Sequence, residues 1–334
     1  MGSIKNDLLE TGAELRETHI SWVFLQERDV YKIKKPVSMG FLDFSTLEKR
    51  REACEAEVRL NRRLAENVYL GLVPVRRDAS GHHHLDGEGD TVDWAVHMTR
   101  LADATRADQR LSEGKLTEAH LERLAARLAH FHEVEPPEDA AHFGSTNVIR
   151  GNVEENFQQV ADTIGDYLEP RQVAEVESWQ RAFLDERSRL FQQRVQTGRI
   201  RDGHGDLRLE HVYIDDAGSP TVIDCIEFND RFRWGDVCAD VVFLAMDLAY
   251  HRRVDLAERF LALYAREAND FDLYPLVDFY ESYRAFVRGK ISSFVASDPS
   301  AELAVKERAT EEARRYFLLA LASERRSLLP PSVV

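Results

Sequence analysis

At 334 residues the chain exceeds the usual reach of one hydrophobic core, so its length points to one large two-lobed domain or to two domains. Hydrophobic residues make up 43% and charged residues 31%, with no long Gly/Ser- or Pro-rich tract, so folded structure is expected throughout. The 44 Lys and Arg against 59 Asp and Glu leave a net charge of −15, which argues against nucleic-acid and anionic-membrane partners and suits either a cationic ligand or simply a well-solvated surface.

The opening MGSIKNDLLE has no apolar signal region, and the longest apolar stretch, near Val241 to Met246, is too short to span a bilayer. Cys54, Cys225 and Cys238 are odd in number and widely spaced, giving neither a disulfide framework nor a zinc pattern. A cytoplasmic protein with reduced thiols is expected.

Further along, Ile20 to Leu25 and Val30 to Lys34 carry strand character around the polar turn Glu27-Arg28-Asp29, predicting a β-hairpin. Ser45 and Glu48 match the S-x-x-E capping box ahead of a helix bearing Leu47, Cys54, Val58, Asn61 and Leu64. After Pro74, two more strands flank a turn from Gly81 to Gly89, the second alternating Val92, Trp94, Val96 and Met98. His82, His83 and His84 are consecutive, cannot converge on one ion, and read as an exposed hairpin tip. Leu121, Leu124, Leu128 and Phe131 share one stripe of a helix from Leu116 to His132, and most of 152–195 and 240–325 is likewise helix-like. Residues 204–228 alone break that half with strands. The expected architecture is α+β: an antiparallel-sheet lobe over 1–100, joined near Thr99 to Ala104 to a mainly helical lobe over 101–334, with a ligand site between them.

The chemistry concentrates in HGDLRLEHVYIDDAGSPTVIDCIEF, residues 204–228. Asp206 and Asp224 fall at the two ends of a hairpin unit whose strands run from Val212 to Ile214 and from Thr221 to Cys225. Phosphoryl transfer is catalysed mainly by positioning and by cations, with a carboxylate orienting the attacking hydroxyl. Asp206 fits the orienting role, and Asp224 fits a hard oxygen ligand that holds Mg²⁺ against a triphosphate. His211 stands where the pattern H-x-D-x-x-x-x-N has its Asn.

This stretch resembles the aminoglycoside phosphotransferase-like branch of the protein-kinase-like superfamily, whose signature is close to H-G-D-L-x-x-x-N followed by a hydrophobic strand and an Asp. The resemblance spans roughly residues 15–290. It implies a two-lobed kinase-like fold, ATP or GTP as co-substrate with Mg²⁺, and transfer of the γ-phosphate to a hydroxyl of a small-molecule acceptor. Lys32 in VYKIKK resembles the strand lysine that grips the phosphates, Glu57 resembles its helix partner, and Asp240 resembles the buried Asp that braces the catalytic loop. The base is then expected against the backbone from Met98 to Leu101, including Arg100. With no GxGxxG loop, the phosphates are expected under Glu17 to Ser21, with Thr18, His19 and Ser21 in contact. The strings ETHISWVFL, YKIKKPV, GFLDFSTLEKR and DCIEFNDRFRWGD resemble one bacterial subgroup in which a C-terminal P-loop domain is common. No GxxxxGK[ST] string occurs here, so no second activity of that kind is expected.

Several readings stay open on sequence grounds. Lys34 shares a strand face with Lys32 and competes for the phosphate role. His204 is either catalytic, moving a proton, or structural, holding the loop. Glu227 either touches the metal or caps a turn. Arg284 and Arg288, near Lys290, either receive an anionic acceptor or form a solvated helix face. His211 as the second metal ligand favours softer ions than Mg²⁺. Two rival functions follow: a nucleotide-binding regulator without turnover, and a transition-metal hydrolase using His204, Asp206 and His211.

Overall fold

The computed structural model describes residues 3–39, 42–299 and 301–327. Met1 and Gly2 of the opening segment, Gly40 and Phe41 of the GFLDFSTLEKR string, and residues 328–334 of the helical half lie outside the described residues. In chain order come α1 (Ile4–Leu9), β1 (Glu14–Glu17), β2 (Ser21–Leu25), β3 (Asp29–Lys34), the short pair β4 (Ser38–Met39) and β5 (Leu42–Asp43), α2 (Leu47–Ala65), β6 (Tyr69–Arg77), β7 (His83–Leu85) and β8 (Asp90–Thr99). Helices α3 (Ala107–Ser112), α4 (Glu118–Phe131), α5 (Thr146–Val160), α6 (Pro170–Glu186) and α7 (Ser188–Gln196) follow. Then come β9 (Ile200–Asp202), β10 (Val212–Ile214), β11 (Pro220–Val222), α8 (Asp230–Arg233), β12 (Trp234–Asp236), α9 (Val237–Tyr250), α10 (Val254–Glu267), α11 (Val277–Ser297) and α12 (Leu303–Ser327).

These elements form two compact units. One comprises Met1–Leu116, His204–Asp206 and Glu210–Arg233; the other comprises Thr117–Gly203, Leu207–Leu209 and Trp234–Val334. Most of the 204–233 segment, assigned by sequence to the helical half, thus belongs with the sheet, because β10 packs on α3 and β11 on α2.

The first unit is built on a six-stranded antiparallel sheet in the order β1-β2-β3-β8-β6-β7. Side chains alternate across a strand, so Phe24 and Leu25 of β2 serve opposite faces. Leu25, Val30, Val96 and Met98 pack with Cys54, Val58 and Ala65 of α2, whereas Phe24, Ile33, Val75 and Ala95 pack with Leu8 of α1 and Ala13. Lys32 and Lys34 follow Val30 at period two and therefore face α2. That single alternation places two lysines on the helix-covered side of a sheet.

Three local expectations are corrected here. The cap of α2 is Thr46, whose Oγ1 accepts from Lys49 N at 3.3 Å, because the Ser45 hydroxyl donates to Asp43 Oδ1 at 2.6 Å. Strand β6 runs through Pro74 instead of starting after it: the Pro74 carbonyl points away from β8 and accepts from Asp86 N at 2.9 Å, so the missing N–H faces the same side and costs no β8 bond. Of the three histidines only His82 lies exposed in the turn between β6 and β7, and His83 and His84 belong to β7 itself. His83 sits in β7, where Asp7 Oδ2 accepts from its backbone N at 3.0 Å and lies 2.6 Å from its Nδ1.

The second unit is mainly helical. Helix α9 is buried along Val237–Leu248, which explains its unbroken apolar run. Close approach of α11 and α12 needs Gly289, where a Cβ would come within 2.7 Å of the Phe317 ring. A short β9–β12 ribbon adds strands outside 204–228, each only three residues long and thus too short to show periodicity. Arg284 donates to Ala239 O at 3.0 Å and lies 4.7 Å from the Phe243 ring centroid, Arg288 lies 5.9 Å from that of Tyr316, and Lys290 donates to Asn156 Oδ1 at 2.7 Å. These three cations pack against neighbouring helices and do not form a solvated face. Among the described residues no helix is long and apolar enough to cross a membrane.

Candidate active site

The loop from His204 to His211 is stitched from within. Gly205 has φ +85°, and a Cβ there would meet Phe232 O at 2.8 Å, so glycine is required twice over. His204 is fully buried, with Nε2 2.9 Å from Ile223 O; a carbonyl can only accept, so Nε2 donates and Nδ1 is left to accept from Asp206 N at 3.3 Å. The His204 carbonyl in turn accepts from Ile226 N at 3.1 Å. Backbone bonds thus occupy both ring nitrogens of His204. They also leave it unsuited to join Asp206 and His211 in a transition-metal cluster.

His211 Nδ1 lies 2.7 Å from Asp206 O, so it too must donate. In the neutral ring the Nε2 lone pair then faces outward, 3.7 Å from Asp224 Oδ2 and 3.6 Å from Glu210 Oε1. Asp206 Oδ2 is 3.7 Å from Nδ1, and its side chain keeps 25% of its surface accessible. The loop thus brings Asp206, His211 and Asp224 together. Among the described residues no cluster of three or more His, Cys, Asp or Glu forms a ready-made metal cage. Asp224 and His211 supply one hard oxygen donor and one imidazole nitrogen, a set that fits a divalent cation whose other ligands come from phosphate and water.

Asp224 adopts φ +64°, a left-handed conformation that Asp tolerates better than most residues. Its backbone N donates to Tyr69 Oη at 3.1 Å, and Cys225 N donates to Asn61 Oδ1 at 2.8 Å, which pins the turn to β6 and α2. From there a ladder of charges runs inward. Lys32 Nζ lies 2.7 Å from Asp224 Oδ1 and 2.8 Å from Glu57 Oε1, the latter an ion pair without the alignment of a hydrogen bond. Lys34 Nζ lies 2.7 Å from Glu57 Oε2 and also contacts Glu227. Two ammonium groups therefore share three carboxylates. The open end is Asp224, whose side chain is 44% exposed, while Glu57 and Lys34 are sealed from solvent.

Electrostatics follow the ladder. Burial opposes charge on Lys32, yet Asp224 and Glu57 outweigh it and hold the ammonium well above its usual range. Burial likewise pushes Asp224 up, but Lys32 and then His211 hold it well below the ordinary carboxylate range. Glu57 is lowered in the same way, by Lys32 and Lys34 against burial. For Glu227 burial prevails over Lys34 and its carboxyl is pushed up. The geometry separates the two lysines: Lys32 reaches the exposed carboxylate, and Lys34 does not.

The other sequence candidates are placed less directly. In the turn between β1 and β2, Thr18 Oγ1 accepts from Ile20 N at 3.3 Å and Ser21 N at 3.0 Å, so those N–H groups are already engaged. His19 is exposed and Ser21 is fully buried. Met98 packs in the core beside α2, and Arg100 N donates to Arg28 O at 2.8 Å. Asp240 Oδ2 lies 3.2 Å from His132 Nε2, whose Nδ1 lies 2.8 Å from Tyr264 Oη. Sequence reasoning missed Asp247, which accepts from Leu209 N at 2.9 Å and so holds the segment after Asp206. Its signal was a second carboxylate in an apolar helix, seven residues after Asp240. Asn61, a polar residue on the apolar stripe of α2, was visible but had no assigned use.

Residues 26–280 match the model of the phosphotransferase enzyme family. The uncharacterized protein Rv2004c of Mycobacterium tuberculosis is 33% identical over 308 residues, covering 92% of this chain and 59% of the relative, so the chain spans less than two thirds of that protein's length. Among solved structures, choline kinase LicA from Streptococcus pneumoniae superposes with a TM-score of 0.53 at 12% identity, covering 96% of this chain and 98% of the other. The Plasmodium vivax ethanolamine kinase gives 0.52 at 11% identity, covering 96% and 83%. These likenesses establish a protein-kinase-like α+β fold, and the family match extends over most of the chain. The protein belongs to the phosphotransferase enzyme family.

Proposed function

We propose that the protein transfers the γ-phosphate of ATP or GTP to a hydroxyl of a small-molecule acceptor. The observation that carries this reading is the contact of Lys32 with both Glu57 and Asp224, 2.8 and 2.7 Å away, in the same unit that holds Asp206. An ammonium held between a sealed and an accessible carboxylate can release the accessible one to a cation and turn to phosphate oxygens, while the sealed one keeps its position.

Asp224 and His211 Nε2 would hold Mg²⁺, which when bound neutralises charge on the transferring phosphate. Lys32 binds and orients the phosphates, with Glu57 fixing the lysine. Asp206 accepts the proton of the attacking hydroxyl and orients it for in-line displacement. Gly205 and His204 keep that carboxylate in place. Small hydroxyl compounds stand first among acceptors: the relatives in fold act on choline and ethanolamine, and a net charge of −15 favours cations of that type.

The test is a metabolite screen for acceptor-dependent consumption of ATP or GTP, run beside a thermal-shift titration with each nucleotide and Mg²⁺. Stabilisation by nucleotide together with turnover on at least one alcohol supports the reading. Stabilisation without turnover on any acceptor would favour the regulator instead.

A further inference from the structure

Lys34 and Glu227 have no part in the chemistry just described, yet they are among the most deeply enclosed charges of the first unit. The Lys34 side chain is 0% exposed and that of Glu227 5%. Lys34 also lies 5.0 Å from the Phe44 ring centroid, so its surroundings are apolar on one side. Enclosing an ion pair costs desolvation free energy that its mutual attraction barely offsets, and apolar pairs of similar volume serve stability as well or better. A purely structural clamp at this place therefore needs no charge.

The ladder suggests what the charge does. Glu57 presents Oε1 to Lys32 and Oε2 to Lys34, so one carboxylate is held from two sides. Asp224 and Glu227 are three residues apart on one segment, and Lys32 and Lys34 are two apart on β3, giving two parallel rungs across the same pair of backbones. The outer rung must open if Asp224 is to take a metal and Lys32 a phosphate. The inner rung has no such exchange to make.

Resting on the phosphotransferase reading above, we infer that Lys34 and Glu227 are positioning residues: an inner ion pair that holds Glu57 and the Asp224 segment in register while the outer pair, Lys32 and Asp224, changes partners on nucleotide binding. Without the inner rung, Glu57 has one cation instead of two and is free to follow Lys32 or to swing away from it. Either outcome misplaces the phosphate lysine. The fold, by contrast, keeps its apolar contacts, and because one ammonium and one carboxylate leave together, the net charge of the ladder is unchanged.

The experiment is calorimetric titration of the purified chain with the ATP analogue AMP-PNP and Mg²⁺, beside thermal melting, for the wild type, Glu227→Gln, Lys34→Arg and the double variant Lys34→Met/Glu227→Leu. The double variant is expected to melt at or above the wild-type temperature while its Kd rises about tenfold or more, the scale of one misplaced charge-assisted hydrogen bond. Glu227→Gln is expected to weaken binding in the same direction with little change in melting, which keeps the test decisive if the double variant does not fold. Lys34→Arg, which retains the charge, is expected to stay within about threefold of wild type. Folded variants that bind as wild type does, or whose binding tracks melting temperature alone, would overturn the positioning role while leaving the phosphotransferase reading intact. A wild-type chain that binds no AMP-PNP would overturn both.

Discussion

Each unit encloses a cluster of charges, and the two clusters differ in one respect. In the helical unit, Arg194 is clamped between Asp236 and Asp270, with side-chain exposures of 2%, 1% and 0%. Asp236 also caps α9 by accepting from Cys238 N at 2.9 Å, so every polar atom has a task in the fold. In the sheet unit the ladder begins equally sealed at Lys34 and Glu57 but ends at Asp224, which is 44% exposed. A closed cluster serves architecture. A cluster with one open end can exchange a partner with a ligand, and this contrast, more than the number of charges, separates a site from a staple.

The contrast can be tested by breaking each cluster in turn. The largest effect is expected at the open end's neighbour: Asp206→Asn should lower turnover by about 10²- to 10⁴-fold, measured with the best acceptor from the screen, while nucleotide affinity stays at the wild-type value. Asp224→Ala should abolish Mg²⁺-dependent nucleotide binding in calorimetry and leave far-UV circular dichroism unchanged. Arg194→Met should do the reverse. It strands two buried aspartates and is expected to cost about 3–5 kcal/mol in denaturant unfolding, with nucleotide affinity of the remaining folded protein preserved.

Smaller effects sharpen the picture. His211→Asn replaces an imidazole nitrogen by a carbonyl oxygen and should raise Mg²⁺ affinity relative to Mn²⁺, read from competition titrations in the presence of AMP-PNP. The pH dependence should be mild and mixed in sign. Asp224 and Glu57 are depressed, so their contributions to stability are fully present above the unfolded carboxylate range near 4 and are lost only as pH falls through the lower folded values. Glu227 is raised, so its contribution is present below that range and is lost as pH rises through its folded value. Glu227→Gln should therefore remove a shallow fall in melting temperature on the alkaline side of pH 4 and leave the acid limb unchanged.

Much of this was legible in the chain itself. The hairpin, the helix over 47–65 and the strand through Met98 follow from period-two and period-3.6 spacing, Asp206, Asp224 and His211 stand out by residue type and spacing, and Lys32 and Glu57 enter through the family resemblance. What stayed hidden depended on tertiary placement. The division between Lys32 and Lys34 is invisible at period two, because both face α2 and only the positions of Asp224 and Glu227 tell them apart. The structural bonds of His204 depend on where Ile223 O lies, and Asp247 acts on a backbone N–H 38 residues away in sequence. The Ser45 cap failed because a neighbour, Asp43, claimed its hydroxyl.

The most direct test of the exchange at the open end is a crystal structure of the chain with Mg²⁺ and AMP-PNP. Lys32 Nζ should have left Asp224 for phosphate oxygens, with Asp224 on the metal and the contacts among Lys34, Glu57 and Glu227 unchanged. Nucleotide bound elsewhere, with Lys32 still paired to Asp224, would contradict it.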